Sequence, residues 1–180
     1  MITKDRSRVV LVKTDGSVIG DKEKLAAHQD GDLHLAFSVM LYRYRQGKRQ
    51  YLLQQRAIEK YHCAELWANS CCSHPQYQES LQEAGVQRLF DELGIKKPLP
   101  LINIGHFIYR AKLDSGLIEH ELDHILIADG DSVELQPNPH EVMNYCWWQV
   151  DELLATLKSE PHKFTPWLSQ VVDLTERYLD

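Results

Sequence analysis

Between Leu33 and Tyr42 the chain alternates without a break: Leu33, Leu35, Phe37, Val39 and Leu41 fall on one face, and His34, Ala36, Ser38, Met40 and Tyr42 on the other. A period of two marks a strand with one face against a core, so the first set is expected inside and His34 points away from it. Residues 8–12 read as a shorter strand, and Asp15-Gly16 turns the chain into Val18-Ile19 to make a small hairpin. After a turn at Gly47, Gln50 to Arg56 reads as a returning strand. Further strands are expected over 101–110, 117–128 and 142–148, the first two joined by Asp114-Ser115-Gly116. If that turn centres on Ser115, Tyr109 and Glu121 are equidistant from it and face each other. Glu119 and Glu121 share a face of their strand by the same period.

The helical segments follow a different spacing. Asp21 is placed to cap a short helix through Lys24-Leu25-Ala26-Ala27 that ends near His28. Residues 79–93 read as a helix, with Val86, Leu89, Phe90 and Leu93 as its apolar stripe and Gly94 as its stop. Gly85, Arg88 and Glu92 fall on another face, where a glycine lets a backbone or ligand come close. Asp151 opens a further helix, and 166–179 forms the last. The order of elements predicts an α+β fold, a mixed sheet flanked by helices, in one domain spanning residues 1–180.

Composition narrows the function more than the fold. Hydrophobic residues make up 43% and charged residues 26%, as in a globular protein, and no apolar run is long enough to cross a membrane. The N-terminus lacks the apolar core of a signal peptide, so a cytoplasmic location with no membrane partner is expected. A net charge of −6 argues against nucleic acid as the partner, although an anionic small molecule fits if the cations are gathered locally. Cys63, Cys71, Cys72 and Cys146 contain no Cys-x-x-Cys pair and are expected as free thiols. Nothing in the pattern specifies an oligomeric state.

The stretch Trp67-Ala68-Asn69-Ser70-Cys71-Cys72-Ser73-His74-Pro75 crowds two thiols, an imidazole and a proline into a few residues. If it is extended, Cys72 and His74 share a face, and Cys72 beside a metal or a protonated imidazole would titrate near neutrality. The plain alternative is a small buried hydrophobe. His28, His34, His74, Glu119 and Glu121 form a nitrogen and oxygen set suited to Zn²⁺, Mn²⁺ or Mg²⁺. Against this stands the alternative of solvated histidines, of which the chain has nine, and an exposed acidic strand edge. Lys24, Arg56, Lys60 and Arg88 are candidates for gripping a diphosphate, with Glu92 holding a Mg²⁺ bound to it. Arg88 and Glu92 also read as a surface i,i+4 ion pair. Tryptophans 67, 147, 148 and 167 read as core, or as a π face for a carbocation.

Seven segments in order resemble type I isopentenyl-diphosphate isomerases, a branch of the Nudix superfamily. They are Lys-Leu-Ala-Ala-His (24–28), Leu-His-Leu-Ala-Phe-Ser (33–38), Asn-Ser-Cys-Cys-Ser-His-Pro (69–75), Tyr-Arg-Ala (109–111), Ser-Gly-Leu-Ile-Glu-His-Glu (115–121), Glu-Val-Met-Asn-Tyr-Cys-Trp (141–147) and Phe-Thr-Pro-Trp (164–167). The resemblance implies a Nudix-like fold and interconversion of isopentenyl and dimethylallyl diphosphate by protonation and deprotonation. It implies one divalent metal on His28, His34, His74, Glu119 and Glu121, and Mg²⁺ bound with the substrate diphosphate near Glu92. Cys72 and Glu121 take the catalytic acid/base positions, with Tyr109 beside Glu121. Lys24, Arg56, Lys60 and Arg88 take substrate-holding positions, and Trp167 closes the pocket. The frame of a hydrolytic Nudix box, Gly-x5-Glu-x7-Arg-Glu-U-x-Glu-Glu-x-Gly-U with U a bulky apolar residue, is altered here. Its positions are Ser73, Glu79, Gln87, Arg88, Leu89, Asp91, Glu92, Gly94 and Ile95. Arg88 replaces a metal-binding Glu, which weakens a pyrophosphatase reading and fits the isomerase variation.

Overall fold

The computed structural model describes residues 6–60, 62–113 and 115–180. Asp114 of the expected Asp114-Ser115-Gly116 turn lies outside them, as do residues 1–5. Among the described residues the chain forms β1 (Arg8–Val12), β2 (Val18–Glu23), α1 (Lys24–Asp30), β3 (His34–Arg45), β4 (Lys48–Arg56), β5 (Trp67–Ala68), β6 (Cys71–Ser73), α2 (Leu81–Leu93), β7 (Ile102–Lys112), β8 (Ile118–Asp129), β9 (Val142–Gln149), α3 (Val150–Ser159) and α4 (Leu168–Leu179). A 3-10 turn at Pro161–Lys163 links the last two helices. The α+β architecture expected from the pattern is observed.

The strictly alternating segment, β3, is the hub. It pairs antiparallel with β1, β4 and β6, and parallel with β8 over nine registered pairs from His34 opposite Glu121 to Tyr42 opposite Asp129. Strands bordered on both sides and covered on both faces have no solvent face, and β3 is such a strand. Phe37, Val39 and Leu41 pack with Ala84, Leu89 and Leu93 of α2, while Met40 on the other face packs with Leu168, Val171 and Val172 of α4 and Leu153 of α3. His34, Ala36 and Ser38 are buried as well. The sheet is thus a middle layer with α2 on one side and α3 and α4 on the other.

The local signals are partly reassigned. Glu23, and not Asp21, caps α1 by accepting from the Leu25 and Ala26 amides, because Asp21 is engaged by Arg8 across the β1–β2 pair. Ser80 and Glu83 form a capping box that starts α2 two residues later than expected. Phe90 is 37% exposed and is not part of the buried stripe. Gly85 is closed in by core side chains: a Cβ there would meet Leu101 and Leu126 at 2.6 and 3.1 Å. The expected Tyr109 and Glu121 pairing is observed in the β7–β8 hairpin. No helix among the described residues is long and apolar enough to cross a membrane.

Gly94 ends α2 in the left-handed conformation (φ +69), and a Cβ on it would lie 2.3 Å from the Gln136 carbonyl oxygen. Gly94→Ala is expected to cost about 2–4 kcal/mol, combining left-handed strain with a clash against backbone that cannot swing away. Urea unfolding followed by circular dichroism measures it, and a loss below about 0.5 kcal/mol would contradict the account.

Candidate active site

The parallel pairing of β3 with β8 sets His34 beside Glu121, and the antiparallel pairing of β3 with β6 brings the Cys72 segment to the same end of the sheet. α1 supplies His28 from its last turn. One ligand atom each from His28, His34, His74 and Glu121 lies within 4.8 Å of all the others. Their rings are 4.7 Å (His28 to His34) and 5.0 Å (His34 to His74) apart. Glu119 borders this group without joining it at that distance: its Oε2 is 3.3 Å from His28 Nε2.

Backbone carbonyls select the tautomers. His28 Nδ1 donates to the Lys24 carbonyl at 2.7 Å, and His34 Nδ1 donates to the Asp32 carbonyl at 2.8 Å. A carbonyl only accepts, so in its neutral form each ring would turn the lone pair of Nε2 toward the cluster, as a metal ligand requires. Neither Glu119 oxygen accepts a hydrogen bond of good geometry among the described residues, although the side chain is 1% exposed. Buried carboxylates without donors are costly unless a cation neutralises them. The donor types, the tautomers and these oxygens together fit a divalent cation.

The acid groups are tuned apart. Burial alone would raise Glu121, but the His34 and His74 imidazoles outweigh it and hold the carboxylate ionised. Glu119 is pushed up to about 7 by burial and by the charge of Glu121. Burial lowers His74 to about 4 despite its 2.9 Å contact with Glu121 Oε1. Tyr109 donates to Glu121 Oε2 at 2.6 Å from the facing strand. Cys72 does not titrate near neutrality: burial pushes the thiol up, and Asp123 and Glu92 oppose the lowering effect of Arg56. It keeps its proton and donates to Asn69 Oδ1 at 3.2 Å, which also accepts from Trp167 Nε1 at 3.1 Å. Asn69 thereby fixes the thiol and the indole to one atom.

Cys72, Glu121, His74 and Trp167 open onto a cavity of about 210 Å³ that Lys24, Arg56, Lys60 and Arg88 also line. Lys24 is lowered by burial and by the charges of Lys60 and Arg88, a repulsion that an anion between them would relieve. Glu92 is not on this wall. Its two oxygens accept from Arg88 and from Gln54 Nε2, at 2.7 Å each, in a buried rather than a surface ion pair. Holding Mg²⁺ would leave Glu92 to share its carboxylate between the ion and these donors.

A family model described as the NUDIX domain matches residues 32–168. The chain belongs to the NUDIX family. Within it, the chain is 49% identical over 165 residues to the isopentenyl-diphosphate Delta-isomerase of Photobacterium profundum, covering 92% of each. It is 43% identical to that of Pectobacterium atrosepticum (89% and 87% covered) and 41% identical to that of Rhodobacter capsulatus (87% and 86%). The chain belongs with this isomerase branch of the NUDIX family. Among solved structures, a Deinococcus radiodurans protein superposes with TM-score 0.72 at 18% identity, covering 92% of this chain and 97% of that one. The MutT protein of Methanosarcina mazei gives 0.63 at 14% identity, covering 82% and 96%. These two show the fold alone.

Three further residues of this NUDIX chain belong to the site without having been singled out from the sequence. Glu141 accepts from Lys60 at 2.5 Å and from Arg88 at 3.2 Å, so it spaces the cations that line the cavity. Asp123 accepts from Ser38 at 2.8 Å, continues the Glu119 and Glu121 face, and is raised by burial and by Glu121. Period two extended along β8 would have found it. His62 bears on Glu119 at 2.7 Å, from a loop where periodicity says nothing.

Adding Mn²⁺ or Zn²⁺ at about 100 times its dissociation constant to metal-free protein is expected to stabilise it by about 2.7 kcal/mol. His34→Ala should remove most of that gain. Melting curves with and without the ion test it, and an identical gain in the variant would place the ion elsewhere.

Proposed function

We propose that the protein interconverts isopentenyl and dimethylallyl diphosphate by adding a proton at one carbon and removing one from another. The observation that carries this is the opening of a protonated thiol, Cys72, and an ionised carboxylate, Glu121, onto one cavity lined by cations. The likeness to the isomerases of three bacteria supports it.

In this reading Lys24, Arg56, Lys60 and Arg88 hold the diphosphate, and Glu141 keeps two of them in place. The hydrocarbon end reaches the region of Cys72, Tyr109, Glu121 and Trp167. A plain alkene is a very weak base, so its protonation needs a dry site and stabilisation of the tertiary cation that results. Proton addition to the terminal methylene leaves the cation at the branched carbon. Loss of a proton from the carbon between it and the diphosphate-bearing one forms the new double bond. The Trp167 ring, 3% exposed and tied to Asn69, supplies a π face for that cation.

The two acid/base groups start in opposite states, so one delivers a proton while the other receives one. Turnover exchanges their states, and exchange with water restores them. Because the interconversion runs both ways, each serves as donor in one direction and acceptor in the other. Tyr109, donating to Glu121, steadies the carboxylate and stabilises its charge.

His28, His34, His74, Glu119 and Glu121 would hold a divalent ion, Mn²⁺, Zn²⁺ or Mg²⁺, whose positive charge would balance the buried acids and fix Glu121. A second Mg²⁺ would accompany the diphosphate near Glu92. A phosphate-releasing activity finds less support, because Arg88 occupies a box position that a hydrolase gives to Glu and pairs with Glu92.

Incubation with isopentenyl diphosphate and Mg²⁺ in deuterated buffer is expected to give dimethylallyl diphosphate carrying deuterium. Cys72→Ser and Glu121→Gln should each cut turnover by about 10²–10⁴-fold. Conversion unaffected by Cys72→Ser would remove its acid/base role, and phosphate release without double-bond migration would point to a hydrolase. Trp167→Leu is expected to lower kcat by up to about 30-fold through loss of cation–π stabilisation, with Trp167→Phe less affected. A change confined to KM would assign the indole to packing alone.

A further inference from the structure

The Glu119 carboxylate is divided between two imidazoles from distant parts of the chain. Oε2 lies 3.3 Å from His28 Nε2, and Oε1 lies 2.7 Å from His62 Nε2. The two rings are 6.0 Å apart, so they flank the carboxylate. His62 is itself inside, with its side chain 10% exposed and its ring 6.3 Å from that of Trp167. His62 does not belong to the four-residue group whose ligand atoms all lie within 4.8 Å of one another, so it stands next to the cluster and not in it.

The backbone at His62 is also held. Arg56 Nη2 donates to the His62 carbonyl at 3.2 Å, and the Arg56 and Leu66 ends are closed by the Arg56 amide donating to the Leu66 carbonyl, the Glu65 amide to the Arg56 carbonyl and the Leu66 amide to the Cys63 carbonyl. Arg56 lines the cavity together with His62. A chain of contacts therefore runs from a cavity cation through His62 to a carboxylate beside the imidazole cluster.

We propose that His62 is a positioning residue of the metal centre, holding Glu119 Oε1 so that Oε2 stays turned toward the imidazoles. The proposal rests on the His and Glu metal site argued above. A carboxylate on a strand swings about its own side-chain torsions, and a ligand that must be ordered when the ion arrives loses affinity to that ordering. Partners behind the ligands remove this cost, and their loss typically weakens metal binding by about 10–100-fold. His62 stands behind Glu119 by a close 2.7 Å contact, where the Lys24 and Asp32 carbonyls hold His28 and His34 by hydrogen bonds. The contribution comes from the loop after β4, whose last residue is Arg56 and which carries Lys60, so two of the four cations that line the cavity and the residue that steadies the metal site are neighbours along the chain.

The test is a chelator-competition titration of Mn²⁺ into the full-length, metal-free protein, comparing wild type, His34→Ala, His62→Met and His62→Gln. Met keeps comparable volume without a polar nitrogen to meet Oε1, and Gln restores one. The expected result is binding abolished in His34→Ala, weakened about tenfold or more in His62→Met, and within about threefold of wild type in His62→Gln. His62→Met binding Mn²⁺ within about twofold of wild type overturns the proposal, as does equal weakening in Met and Gln, which would mark a packing role. Melting temperatures of the metal-free variants separate lost packing from lost affinity. If His62→Met does not fold, His62→Ala replaces it under the same criteria. A wild type that takes up no Mn²⁺ overturns the metal site and this inference with it, whereas a wild type that binds beside an unaffected His62→Met overturns the inference alone.

Discussion

Two carboxylates share one strand face beneath the surface, and everything around them answers that charge. Glu119 and Glu121 are 1% and 8% exposed, and Asp123 continues the row. Like charges at this spacing in a medium that excludes water repel strongly, and the protein meets the cost in different ways. Glu121 is held ionised by two imidazoles and a phenol, while burial raises Glu119 and Asp123. The imidazoles are aimed by backbone carbonyls, which ties the electrostatics of the site to helix α1 and to the start of β3. A divalent cation would settle the remaining imbalance.

The same constraint explains the sheet's layout. β3 carries His34 and must lie against β8, which carries the acids, and the parallel pairing sets His34 opposite Glu121. β6 approaches β3 from the other side and delivers Cys72 and His74. Three chain segments that are far apart in sequence thus meet at one end of a rigid middle layer, with packed helices on both faces. A site built on paired strands holds its groups more firmly than one built on loops, which suits chemistry that needs a thiol and a carboxylate in fixed relation.

The cavity divides into two kinds of demand. Cations that repel one another are kept together by Glu141 and Glu92, ready for an anion of matching charge. The apolar end is organised around Asn69, whose side-chain oxygen receives both the Cys72 thiol and the Trp167 indole. Arg88 illustrates how one exchange redirects a fold: where a NUDIX hydrolase places a carboxylate, this chain places a guanidinium that pairs with Glu92 and faces the cavity.

Local pattern was enough for much of the fold. Alternation announced β3, the turn between β7 and β8 set Tyr109 opposite Glu121, and Gly94 stopped α2, because backbone periodicity, hairpin register and a left-handed residue are decided within a few positions of chain. The tertiary structure alone decided that β3 is buried on both faces, that Gly85 meets the core, and that Glu92 is engaged by Arg88 and Gln54. It also decided that Glu119 stands just outside the group of His28, His34, His74 and Glu121, and that His62, from an unpatterned loop, reaches Glu119. Those outcomes depend on strand order and on the packing of segments tens of residues apart, and no local period encodes which distant segment a face will meet.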